Sequence, residues 1–128
     1  MQYPTELKYS KEHEWVRFEG TQAVVGITHF AQSQLGDIVF VELPAMGTMT
    51  VAGKRFSVVE SVKAVSDIFA PLSGKIVKIN DALNDAPEKV NQDPYGEGWI
   101  AVIEMEGTSG EDLMDSEAYA ALVAKGGH

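Results

Sequence analysis

The sequence predicts a mainly β fold, a sandwich or barrel with short helices at its periphery. Three observations carry that expectation: short apolar or alternating runs recur at near-regular spacing, turn-forming Gly, Pro, Asn and Asp stand between them, and few stretches have helical spacing. At 128 residues, 45 % hydrophobic and 23 % charged, the chain suits one compact domain with a core spanning about 7 to 103 and a helical extension over 109 to 125.

The elements follow in order. Trp15 to Phe18 and Ala23 to Ile27 flank Glu19-Gly20-Thr21-Gln22, a hairpin signal. Thr28 is placed to cap a helix over His29 to Leu35, with Ala31 and Leu35 on its inner face and Gly36 as its stop. Ile38 to Leu43 reads as a strand ended by Pro44, and Met46-Gly47 turns the chain into Thr48 to Val51. Arg55 to Glu60 and Val65 to Ala70 are two further strands joined by Ser61-Val62-Lys63-Ala64. Pro71 to Gly74 has turn composition, with Gly74 free to take a positive φ, and Lys75 to Ile79 alternates again. From Asn80 to Gly98 the chain is polar and rich in Asn, Asp, Pro and Gly, a surface excursion with one helical turn near Pro87 to Val90. Trp99 to Ile103 returns as a core strand, and Ser116 is placed to cap a final helix from Glu117 to Ala124 in which Leu122 and Val123 dock. Trp15, Phe40 and Trp99 are expected in or at the rim of the core, because each lies in a strand pattern.

Composition removes whole classes of function. Without cysteine there is no disulfide framework, thiolate metal site or cysteine nucleophile. His13, His29 and His128 share no metal-ligand spacing on one element, and the phosphate-loop, dinucleotide and hydrolase-elbow fingerprints are absent. No apolar run reaches the roughly 20 residues that span a bilayer, so a soluble chain is expected, cytoplasmic in a bacterium or in the mitochondrial matrix as a matured form. The net charge of −9 is unevenly spread: residues 1 to 80 hold eight acids and eight bases, whereas 81 to 128 hold eleven acids against Lys89 and Lys125. Such a surface disfavours nucleic acid and anionic membranes and suits either plain solubility or basic protein partners.

Lys63 stands apart. It lies in a turn between two short apolar strands, where packing gives no reason for a long cationic side chain, and a hairpin tip would expose its amine to a modifying enzyme. Spacing alone still leaves an ordinary solvated lysine as the plainer reading.

Four ordered blocks change that balance: LKYSKEHEWV from Leu7, VGITHFAQSQLGDIVFVELP from Val25, VESVKAVSDIFAPLSGKI from Val59 and NQDPYGEGWI from Asn91. In these segments the chain resembles the H protein family of the glycine cleavage system, whose members carry lipoate. The resemblance implies the barrel-sandwich hybrid fold shared by lipoyl and biotinyl domains. It also implies a non-catalytic, monomeric shuttle with a lipoyl group in amide linkage on Lys63. A glycine decarboxylase (P protein) would load an aminomethyl group onto the arm, an aminomethyltransferase (T protein) would remove it, and dihydrolipoyl dehydrogenase (L protein) would reoxidise the dithiol. Glu60 and Ser61 would be read by the lipoate-attaching enzyme, or else serve hairpin structure. Glu14 and Asp67 match positions that hold the loaded arm in the family, whereas spacing alone makes Glu14 a solvent-facing acid beside Trp15. Glu12 stands where some relatives have a small polar residue, which adds charge to the same pocket. Rival readings are a biotinyl domain, disfavoured because Val62 and Ala64 rather than methionines flank Lys63; a lipoyl domain of a 2-oxoacid dehydrogenase; a Schiff-base enzyme with a buried lysine; and an unmodified acidic binding module.

Overall fold

The computed structural model describes residues 3–106 and 113–126, so His128 and the first residues of the expected extension at 109 lie outside the described residues. Within them the chain runs β1 (Lys8–Tyr9), β2 (Glu14–Glu19), β3 (Gln22–Ile27), α1 (His29–Leu35), β4 (Ile38–Glu42), β5 (Met49–Thr50), β6 (Arg55–Ser61) and β7 (Val65–Phe69). It continues through β8 (Gly74–Ile79), α2 (Ala82–Asp85), α3 (Lys89–Gln92), β9 (Ala101–Met105) and α4 (Ser116–Ala124). Two antiparallel sheets result, one ordered β1-β2-β3-β9-β8-β5 and a smaller one ordered β4-β6-β7.

Alternation explains how the sheets share a core. Val16, Val25, Ile76 and Ile103 of the larger sheet meet Ile38, Val41, Val59 and Ile68 of the smaller one in a single buried cluster. The opposite face of the larger sheet is not left to solvent. Trp15, Val24 and Val102 point to it and are covered by Tyr3, Leu7, Tyr9 and Tyr119, the last being the buried anchor of α4. Tyr9 and Tyr119 stack with ring centroids 4.8 Å apart.

Several expectations need correction. The final helix begins one residue early: Asp115 rather than Ser116 is the N-cap, its carboxylate accepting from Ala118 N at 2.8 Å. The Asn80–Gly98 excursion is more than surface, since α2 and α3 each plant one side chain, Leu83 and Val90, in the main core. Gly74 takes no positive φ; it opens β8, where an added Cβ would fall 2.1 Å from the Glu104 carbonyl oxygen, so the close backbone approach is what calls for glycine. Phe40 is not a core residue but 47 % exposed, because the register slips between Ile38 and Phe40 and turns Val39 and Phe40 outward together. Trp15 is fully buried as expected and donates from its indole nitrogen to Pro94 O at 2.8 Å.

Candidate functional site

The hairpin of β6 and β7 pairs Val58 with Asp67, Val59 with Ser66 and Glu60 with Val65, leaving Ser61 to Ala64 as its tip. Ser61 closes that tip almost alone. Its amide donates to Ala64 O at 2.8 Å, and its hydroxyl oxygen accepts from Ala64 N at 3.0 Å and from Lys63 N at 3.3 Å. This is the hairpin-structure alternative for Ser61 made visible. Glu60 is half-buried in the row that joins Phe40, Glu60 and Val65 across all three strands. Lys63 is exposed, as are Val62, Ala64 and Val65 around it.

The tip is also tied to the rest of the molecule. Val62 N donates to Asp37 O at 3.0 Å, and a Cβ built on Gly36 would lie 3.5 Å from Lys63 Cε, so the lysine stem runs over the glycine that ends α1. Gly36 sits at φ 83°, a conformation that ends the helix and lays bare backbone under the stem. The sequence reading gave Gly36 only the role of ending the helix.

Asn91, on α3, holds that junction from behind. Its amide nitrogen donates to Gly36 O at 2.8 Å and to Gln32 Oε1 at 2.9 Å, while its carbonyl oxygen accepts from Ile38 N at 2.9 Å. Three bonds from one side chain fix the α1–β4 corner on which the tip rests. Sequence reasoning missed this residue, although NQDPYGEGWI was already singled out as a block.

Between α1 and β7 runs a groove of about 260 Å³ whose walls include Ile27, Phe30, Leu35, Ile68, Asp67 and Glu12. A neighbouring cavity of about 470 Å³ is lined by Ser10, Glu12, Glu14, Phe69 and Pro71. Glu12 belongs to both walls, so it joins the two; Asp67 lines the first and Glu14 the second. Asp67 is half-exposed and lies 3.6 Å from Arg55 in an ion pair.

Glu14 is not the solvent-facing acid that its spacing suggested. It is 1 % exposed, accepting from Ser10 Oγ at 2.5 Å and from Phe69 N at 3.3 Å, because the chain doubles back over Ser10 to His13 and points the β2 end inward. His13 adopts φ 74° in that corner. Burial pushes the Glu14 carboxyl up from its ordinary 4.5 to about 7; the two hydrogen bonds pull the other way and nearby Glu12 adds to the rise. Among the described residues no group of three His, Cys, Asp or Glu side chains is placed to hold a metal ion.

With this geometry established, the family model described as "Glycine cleavage H-protein" matches residues 7–126. The chain belongs to the glycine cleavage H-protein family. It is 53 % identical over the full length of both chains to the glycine cleavage system H protein of Nitratidesulfovibrio vulgaris (strain DP4). Identity is 57 % to that of Geobacillus thermodenitrificans (strain NG80-2), over 98 % of this chain and all of the relative. A crystal structure of a glycine cleavage system H protein from Mycobacterium marinum superposes with a TM-score of 0.89 at 38 % identity, covering 95 % of this chain and 99 % of that one. Membership brings the family's barrel-sandwich architecture and its role as a carrier in glycine cleavage.

Proposed function

We propose that this family member carries lipoate in amide linkage on Lys63 and moves an aminomethyl unit from the glycine decarboxylase to the aminomethyltransferase, with dihydrolipoyl dehydrogenase restoring the disulfide. The observation that carries the residue assignment is an exposed lysine at a braced hairpin tip, its stem laid over Gly36 beside the α1–β7 groove. The residues fit such a group: the amine is open to an attaching enzyme, and the adjoining groove offers apolar walls to a hydrocarbon arm. Bound there, lipoate would supply a disulfide that opens to take up the one-carbon unit and closes again on oxidation.

The chain's own residues do the rest. Acylating Lys63 removes its positive charge, taking the formal charge from −9 to −10, and lets the arm enter an apolar channel without desolvating an ammonium. Ile27, Phe30 and Leu35 shield the groove, while Asp67 and Glu12 present carboxylates on its walls to any cationic amine held there. In the neighbouring cavity, Glu14 holds a proton near neutrality and gives it up when a cation approaches, since an adjacent positive charge favours the carboxylate. Bacterial relatives support a cytoplasmic setting.

Intact mass tests the attachment. Protein made in a lipoate-competent host gains a lipoyl-sized increment that is missing from Lys63→Arg; an increment that survives Lys63→Arg overturns the assignment.

A further inference from the structure

Both tryptophans of the chain stand under a cation. Lys78 Nζ lies 5.6 Å from the centre of the Trp99 ring, and the Arg17 guanidinium 6.0 Å from that of Trp15. The two cations belong to one cross-strand row on the outer face of the larger sheet, where register aligns Arg17 on β2, Val24 on β3, Val102 on β9 and Lys78 on β8. Beside the aromatic cover of that face, this row borders a groove of about 340 Å³ whose walls include Arg17, Gln22, Val24, Lys78, Trp99 and Val102. Two valines thus lie beneath it and a positive charge closes each end, in a chain that has ten bases in all and a net charge of −9. Both cations keep donors to spare. Arg17 gives its Nε–H to Glu19 at 2.8 Å, which leaves the terminal guanidinium nitrogens, and Lys78 has no ion pair among the described residues. Resting on an indole restrains each long side chain, so a ligand that meets it removes less rotamer freedom.

We propose that this groove docks an acidic segment of a partner protein, an extended stretch with two carboxylates four residues apart and an apolar side chain midway. Dimensions and charge select that pattern. The row crosses three strand gaps, about 14 Å, and an extended chain advances about 13 Å in four residues while positions i, i+2 and i+4 face the same side. The two carboxylates then meet Lys78 and Arg17, and the middle side chain settles against Trp99 above Val24 and Val102. The smaller sheet, which carries the hairpin with Lys63, packs on the inner face of the larger one. A partner seated on the outer face grips the molecule from behind and leaves Lys63 uncovered. The docking does not depend on what Lys63 carries.

The test titrates isotope-labelled full-length protein with the peptide acetyl-Gly-Asp-Ser-Leu-Ser-Asp-Gly-amide at low salt and follows amide and indole resonances. Saturable shifts are expected at Val24, Lys78, Val102 and the Trp99 indole, with Lys63 and Ala64 unmoved and a Kd on the order of 1 mM or below. Arg17→Gln together with Lys78→Gln weakens binding about tenfold or more, and both exposed substitutions leave the circular dichroism of the parent intact. Lys54→Gln together with Lys125→Gln removes the same charge elsewhere on the surface and leaves Kd within about twofold. The same peptide with asparagine in place of both aspartates does not bind. No shift up to about 5 mM peptide, equal weakening in the two double variants, or undiminished binding of the asparagine peptide overturns the proposal. Citrate or oligothymidylate binding the groove more tightly than the peptide also overturns it, because the occupant is then a small anion or a nucleic acid. So does self-association of the parent that Lys78→Gln abolishes, because the groove then receives a second copy of this chain.

Discussion

Glu14 sets a measurable pH signature. Its folded-state pKa of about 7 lies above the ordinary 4.5, so the folded chain binds this proton more tightly than the unfolded one. Stability from this group is complete below about pH 4.5 and is lost as pH rises through 7, a change of about 3 kcal/mol. Urea unfolding of parent and Glu14→Gln between pH 4.5 and 8 is expected to show the variant with the shallower fall, gaining on the parent as pH rises. Parallel curves would mean that the carboxyl is not protonated in the fold. Spacing could not reveal this burial: the turn over Ser10 to His13, with His13 at φ 74°, is what carries an acid on a nominally alternating strand inward. Asn91 was illegible for a related reason, since its three bonds reach Gln32, Gly36 and Ile38, more than fifty residues away in the chain. Asn91→Leu leaves the half-buried Gly36 carbonyl and Ile38 amide without these partners and is expected to cost about 2–4 kcal/mol. Asn91→Asp keeps the acceptor for Ile38 N and forfeits both donated bonds. Its lipoylation KM should therefore rise even at temperatures where circular dichroism shows it fully folded; a KM equal to the parent's would confine Asn91 to stability.

At the scale of elements, the β6–β7 hairpin was readable because its two runs are short, apolar and separated by four residues, and local turn chemistry rather than distant packing closes it. What the pattern could not show is how much of the closure Ser61 performs. Ser61→Ala removes the acceptor for the Ala64 and Lys63 amides at an exposed tip, where water replaces it, so the cost in global stability is small, about 0.5–1 kcal/mol. Amide hydrogen exchange at Lys63 and Ala64 is expected to accelerate by much more than that figure implies, since the opening is local. Equal exchange in Ser61→Ala and parent would show that the strands alone hold the tip. The helices divide along the same line. Thr28 and Gly36 bracket α1 in the sequence and in the structure, whereas α2 and α3 are only four residues each and depend on burying Leu83 and Val90, a tertiary cause that leaves little local trace.

Across the whole molecule, a mainly β sandwich or barrel and a terminal helix were legible from period and turn composition, and the family resemblance supplied the architecture that periodicity cannot choose. The pairing of distant segments was not. Tyr119 of α4 reaches back to the first strands, its hydroxyl 2.7 Å from Thr28 Oγ1 and 2.8 Å from His13 Nδ1, so the last helix braces the corner from which α1 starts. Tyr119→Phe strips two buried hydrogen bonds while keeping the ring and is expected to lower stability by about 1–3 kcal/mol in chemical denaturation. A change below about 0.5 kcal/mol would show that the ring alone docks α4.

The glycine beneath the lysine has a consequence for how a tethered group explores space. A prosthetic chain whose first methylenes rest on a backbone rail pivots from a point beyond its anchor, so its free end sweeps a smaller sphere, and local concentration climbs as the swept volume shrinks. A side chain at position 36 would lift that pivot and trade proximity for range.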